Sequence, residues 1–204
     1  AARLGRPLNA TRIGVFGGSF DPPHQAHRAM AQAALDQLAL DELRWLPAGR
    51  PWQKSHELAP AADRLAMVAA AIDGQPRFVL DARELGRPGP SYTIDSVREL
   101  QAEQPGAALF LVIGQDQHAG LEGWREWEAL VDAVTLAVAA RAGDAVTAPA
   151  ALRARPHRSV VLDLPAMAVS ATAIRAHLAA GGAARGLVPA MVPAGVARYI
   201  DSHR

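Results

Sequence analysis

The sequence contains no cysteine, which excludes disulfides, thiolate metal sites and a cysteine nucleophile. That lack is compatible with a reducing compartment, and a cytoplasmic location is the expectation. Long apolar runs are also missing. Alanine-rich stretches are repeatedly cut by Asp, Arg, Glu or Pro, and none approaches the roughly 20 apolar residues that span a bilayer. Net charge is nearly absent: 21 basic residues face 20 acidic ones, so no global excess points to nucleic acid or a membrane surface. Any anion site must therefore be local. Lysine is scarce as well, Lys54 being the single lysine among those 21 basic residues. Residues 1–11 lack the apolar centre of a secretory signal and are expected to form a flexible N-terminal extension.

What is present is a chain of 204 residues, half of them hydrophobic, enough for one substantial core. Short apolar runs at 12–16, 42–47, 77–81, 108–114, 134–140 and 159–164 are near-continuous, the pattern of strands covered on both faces. Segments with helical spacing lie between them, at about 24–39, 61–73, 92–104, 124–132 and 149–154. This alternation predicts an α/β fold with a doubly wound parallel sheet over 12–165. After 165 two helical stretches, 171–180 and 193–202, predict a small C-terminal helical appendage over 166–204. Pro60, Ser91 and Ser170 stand where helices should begin, and Gly181-Gly182 where one should stop.

In an open α/β sheet ligands bind outside the carboxyl ends of the strands, so the loops after the apolar runs should carry the chemistry. Directly after the first run stands GGSFDPPHQAH, residues 17–27. Its glycines and prolines make a shaped loop. His24 and His27 are three apart, so a helix starting near His24 places both in its first turn, where unpaired N–H groups and the positive dipole end attract anions. That is a phosphate site in outline. A zinc pair is a weaker reading, because zinc helices commonly space histidines four apart and no third ligand accompanies these two. A plain turn with satisfied histidines is the bland reading of the same residues.

GGSFDPPHQAH resembles the G-x-F-D-P-x-H-x-G-H signature of the nucleotidyltransferase superfamily, related to the class I aminoacyl-tRNA synthetases. Within it, the chain resembles the bacterial nicotinate-nucleotide adenylyltransferases. The likeness runs from about Thr11 to Ile200 and includes PAGRPWQK at 47–54, RPGPSYTIDSV at 87–97, IGQD at 113–116 with Trp124, SATAIR at 170–175 and VPAGVARYI at 192–200. Ala26 and Ala171 depart from the pattern, which usually has glycine and serine there.

The resemblance implies a Rossmann-like nucleotidyltransferase fold whose C-terminal helices complete the ATP site. It implies adenylyl transfer from ATP to nicotinate mononucleotide, with Mg²⁺ on the triphosphate and no metal held by the protein. It assigns His24, His27 and Arg175 to catalysis. Gly17, Gly18, Ser19, Phe20, Gly114, Asp116, Ser170, Thr172 and Arg175 are assigned to ATP, Asp116 meeting the adenylate ribose. Ser19, Lys54, Tyr92, Thr93 and Trp124 are assigned to nicotinate mononucleotide, Trp124 stacking on the pyridine ring. Partners beyond these substrates are not expected: no nucleic acid, no membrane, a monomer or a homodimer. A sibling adenylyltransferase acting on nicotinamide mononucleotide or phosphopantetheine, and a nucleotide-binding module without turnover, remain open. A redox dehydrogenase is disfavoured because the glycine loop lacks the G-x-G-x-x-G spacing.

Overall fold

The computed structural model describes residues 10–50, 58–141 and 145–203. Six parallel strands form one sheet in the order β3-β2-β1-β4-β5-β6. They are β1 (Arg12–Gly18), β2 (Glu42–Pro47), β3 (Phe78–Leu80), β4 (Ala108–Gly114), β5 (Thr135–Arg141) and β6 (Arg158–Leu164). Each coincides with one of the apolar runs. The strand order reverses between β1 and β4, which pair in register from Arg12↔Ala108 to Val15↔Leu111. Loops leaving the carboxyl ends of these two strands part to opposite faces, and the crevice between them is where such a fold binds ligands.

Alternation along the strands explains why the runs are continuous. In β4, Leu109, Leu111 and Ile113 enter one core, while Phe110 and Val112 enter the other. The core of Phe110 and Val112 lies beneath α1 (Gln25–Gln37) and α2 (Ala61–Ile72), and that of Leu109, Leu111 and Ile113 beneath α3 (Thr93–Glu103) and α5 (Trp127–Ala133). Both faces need apolar side chains, so no polar residue interrupts the run.

The helix starts follow local chemistry. Pro60 stands at the N-cap of α2, and Ser170 Oγ accepts the Ala173 N–H at 3.2 Å to open α7 (Ala171–Ala179). Gly181, at φ +84°, turns the chain out of α7. The last helix, α8 (Ala194–Ser202), packs on α2, with Tyr199 Oη donating to Asp63 Oδ1 at 2.8 Å. The C-terminal stretch also reaches the first loop: Gln25 N–H donates to the Met191 carbonyl at 2.9 Å, and Gln25 Nε2 to Pro189 at 2.8 Å.

The structure corrects the helix expected at 124–132. A short helix α4 (Gln115–Ala119) and a single 3₁₀ turn at Leu121–Gly123 come first, and Trp124 is extended at φ −81°, ψ 146°. Glu126 is left-handed at φ +49°, which ends any helical run, and α5 begins at Trp127. A short helix α6 (Ala150–Arg153) precedes β6.

Candidate active site

A cleft of about 840 Å³ opens at the reversal point of the sheet. Gly17, Gly18 and Ser19 line it from the end of β1, His27 from α1, Ala48 from beyond β2, Tyr92 and Thr93 from the start of α3, and Gly114 and Asp116 from the end of β4, with Trp124 beside them. Most of the sequence-derived site residues thus converge on one cavity. Lys54 lies outside the described residues.

The first loop is strained where it turns. Phe20 takes φ +48°, a conformation that costs a non-glycine residue energy unless its surroundings fix it. Here its ring is clamped edge-on by Phe16 at 5.5 Å and by His27 at 5.1 Å between ring centres, and it is 1% exposed. The Phe20 ring is therefore a wedge beneath the loop and does not line the cleft.

His24 is the N-cap of α1, with extended backbone at φ −142°. Its ring stacks on His27 with centres 3.7 Å apart. The His24 backbone N–H donates to His27 Nδ1 at 3.2 Å. An accepting Nδ1 places the proton of a neutral His27 on Nε2, giving the cleft wall a donor. His24 itself is 8% exposed, and its Nδ1 is buried with no partner. Burial pushes its pKa down to about 4, so the ring is neutral at pH 7.

This has a consequence for stability. The unfolded chain takes up a proton near pH 6.5 that the folded His24 refuses until about pH 4, so the folded state loses stability as pH falls through that window. Between pH 7 and pH 5.5 the wild type should lose about 1 kcal/mol more than His24→Asn, by the conversion of pKa difference to free energy. Urea unfolding of the two proteins at both pH values checks this, and parallel losses would contradict it.

The C-terminal motif approaches the same loop. Arg175 Nη1 donates to the Asp21 carbonyl at 2.6 Å, and its Nη2 to Thr172 Oγ1 at 3.4 Å. Ser170, Thr172 and Arg175 do not line the cleft as His27 does. They stand on α7 and its cap, tied through Asp21 to the loop that leads to the histidines.

On the opposite side, the α3 entrance brings in Glu84 and Arg125, which the sequence did not single out. Glu84, Ser91 and Arg125 line the cleft with Tyr92 and Thr93. The Arg125 guanidinium lies 4.7 Å over the Tyr92 ring. Ser96 Oγ donates to Glu84 Oε1 at 2.7 Å, and Arg87 Nη1 donates to Ser96 Oγ at 2.9 Å. Burial pushes the Glu84 carboxyl up, against the opposing hydrogen bond from Ser96. Trp124 packs on the core while lining the cleft. Among the described residues no cluster of three or more His, Asp or Glu is placed to hold a metal ion, and no helix is long and apolar enough to cross a membrane.

A parallel sheet with its crevice beside a histidine-bearing helix start defines a nucleotide-binding α/β protein of the Rossmann-like class. The cytidylyltransferase-like family model matches residues 15–177. A protein of Methylibium petroleiphilum named "Probable nicotinate-nucleotide adenylyltransferase" is 57% identical over 192 residues, 94% of this chain and 91% of that one. One of the same name from Bordetella petrii is 46% identical, over 94% of this chain and 97% of its own. The chain belongs to the nicotinate-nucleotide adenylyltransferases within the cytidylyltransferase-like family. Its fold is shared by the Plasmodium falciparum nicotinic acid mononucleotide adenylyltransferase complexed with NaAD, at a TM-score of 0.77 and 17% identity over 95% of this chain and 96% of that one.

Proposed function

We infer that this chain transfers the adenylyl group of ATP to nicotinate mononucleotide, giving nicotinate adenine dinucleotide and pyrophosphate in NAD biosynthesis. A phosphate oxygen of the mononucleotide attacks the α phosphorus as the bond to the pyrophosphate oxygen breaks. Such transfers need positioning and charge neutralisation more than a protein nucleophile. The observation that carries the reading is the stack of buried His24 on His27 at the start of α1, where His27 lines a cleft that also holds Asp116 and the Tyr92–Thr93 helix start.

Within this reading Gly17 and Gly18 let the triphosphate approach the backbone, and His24, His27 and the α1 N-terminus meet the charge developing at the α and bridging oxygens. Ser170, Thr172 and Arg175 serve the outer phosphates, Arg175 with a planar fork suited to them. Phe20 acts through the strained backbone it anchors. Gly114 and Asp116 hold the adenylate ribose. Ser19 and Lys54 serve the mononucleotide phosphate, and the N–H groups at Tyr92 and Thr93 its carboxylate. Mg²⁺ enters as part of the ATP substrate, held by phosphate oxygens and water. In this division residues 12–165 form the nucleotide-binding unit and residues 166–204 complete the ATP site, while most of the expected N-terminal extension lies outside the described residues. We place the enzyme in the cytoplasm, acting on ATP and nicotinate mononucleotide as a monomer or homodimer.

Pyrophosphate release from ATP with nicotinate mononucleotide, nicotinamide mononucleotide or phosphopantetheine tests the acceptor. Turnover should be strongest with the first. Trp124→Ala should raise KM for the mononucleotide about tenfold, the size expected for loss of one stacked ring, and leave KM for ATP near wild type. An equal rise for both substrates would remove Trp124 from the pyridine site.

A further inference from the structure

Arg64, in the first turns of α2, is 2% exposed and has no carboxylate within ion-pair distance among the described residues. The Asp21 carboxylate favours its charge from beyond that distance, but burial disfavours the charge more, and a buried guanidinium is costly unless its donors are used. They are used on backbone alone. Nε donates to Ala59 O at 3.1 Å, Nη1 to Ser19 O at 3.1 Å and to Ala48 O at 2.6 Å, and Nη2 to Gly49 O at 3.2 Å.

Those carbonyls come from three separate segments. Ser19 is in the loop after β1, Ala48 and Gly49 follow β2, and Ala59 leads into α2. Ser19 and Ala48 both line the cleft. A trans peptide points its N–H opposite to its C=O. Drawing the Ser19, Ala48 and Gly49 carbonyls inward therefore also fixes the direction of the N–H groups of Phe20, Gly49 and Arg50. On its far side the second loop is held to the acceptor wall, where Ser91 N–H donates to Arg50 O at 3.2 Å.

We propose that Arg64 is a positioning residue, one that sets the spacing between the phosphate loop at Ser19 and the acceptor loop at Ala48–Gly49 by binding both through their carbonyls. It touches neither substrate. Its role rests on the adenylyl-transfer reading, because only a two-substrate reaction is sensitive to the distance between those loops. Lysine keeps the charge but offers three donors in a different geometry, so it cannot satisfy all four carbonyls.

The test compares wild type, Arg64→Lys and Arg64→Ala, with kinetic constants taken per folded molecule and ATP affinity measured by calorimetry. Arg64→Lys should lower kcat roughly ten- to hundredfold and raise KM for both substrates, as misplacement of reacting groups does. Millimolar guanidinium should restore part of the turnover of Arg64→Ala and none to Arg64→Lys. Wild-type constants per folded molecule in both variants, with only a lowered Tm, would overturn the proposal. So would failure of both variants to fold, which would make Arg64 a support of the whole domain. A wild type that binds ATP without turnover would sink the adenylyl-transfer reading separately, leaving ATP affinity as the readout for Arg64. A wild type that binds no ATP would overturn both.

Discussion

Replacing His24 with alanine lowers turnover ~10²–10³-fold while the protein still folds, the loss seen when one fixed donor to a developing oxyanion is removed. The geometry around His24 explains why the fold should survive the change. The His24 side chain makes no capping bond to α1, and its buried Nδ1 has no partner, so the folded state gives up little by losing it. A buried nitrogen without a partner costs about 1–3 kcal/mol. Such a cost is tolerated where the group has a task outside the folded chain. The stack at 3.7 Å on His27 keeps the imidazole in place in the meantime. Burial holds His24 neutral, and an arriving triphosphate favours its protonated form, so phosphate binding should draw a proton onto the pair. Steady-state kinetics with pyrophosphate detection, beside circular dichroism, check the prediction. An unchanged kcat would take His24 out of the reaction.

Gly49→Ala should be the most damaging change of a single methyl group. A Cβ at Gly49 would overlap the Glu84 carbonyl oxygen and come within 2.7 Å of Ser91 Oγ. The first obstacle is backbone, which cannot rotate aside. The loop cannot retreat either, because the Gly49 carbonyl is held from behind by Arg64 Nη2 at 3.2 Å. Overpacking of this kind costs on the order of 3 kcal/mol. Part of that strain should be relieved by moving the Glu84–Ser91 stretch, so KM for the acceptor should rise more than KM for ATP. Urea unfolding and the two KM values report the two effects, and wild-type stability would contradict the wedged geometry. By contrast Gly17, near the end of β1, has open space where a Cβ would stand.

The central strand β4 was legible because a strand covered on both faces must be apolar at every position, and ALFLVIG meets that condition, whereas the edge strand β6 is largely exposed and showed only as the shorter run around Val160–Leu162. Helices α2 and α7 were legible through Pro60, Ser170 and Gly181, whose local chemistry does not depend on the rest of the fold. Trp124 was misplaced on a helix because its spacing from Trp127 fits one, whereas the left-handed Glu126 between them is a conformation that composition does not announce. The convergence of Gly17, His27, Thr93 and Asp116 was legible because each follows or opens an element at the carboxyl end of the sheet. Arg64 was not, since its partners are carbonyls, which every residue carries, drawn from loops as far as 45 positions away. Glu84 and Ser96 were missed for a related reason: their pairing depends on how the 82–92 stretch folds back on α3.

The most direct test of the account is the specificity constant for pyrophosphate release with ATP and each of the three acceptors. The highest kcat/KM should be with nicotinate mononucleotide, and the product should contain both the nicotinate nucleotide and adenylate. Higher kcat/KM with nicotinamide mononucleotide or phosphopantetheine, or no pyrophosphate with any of them, would contradict it.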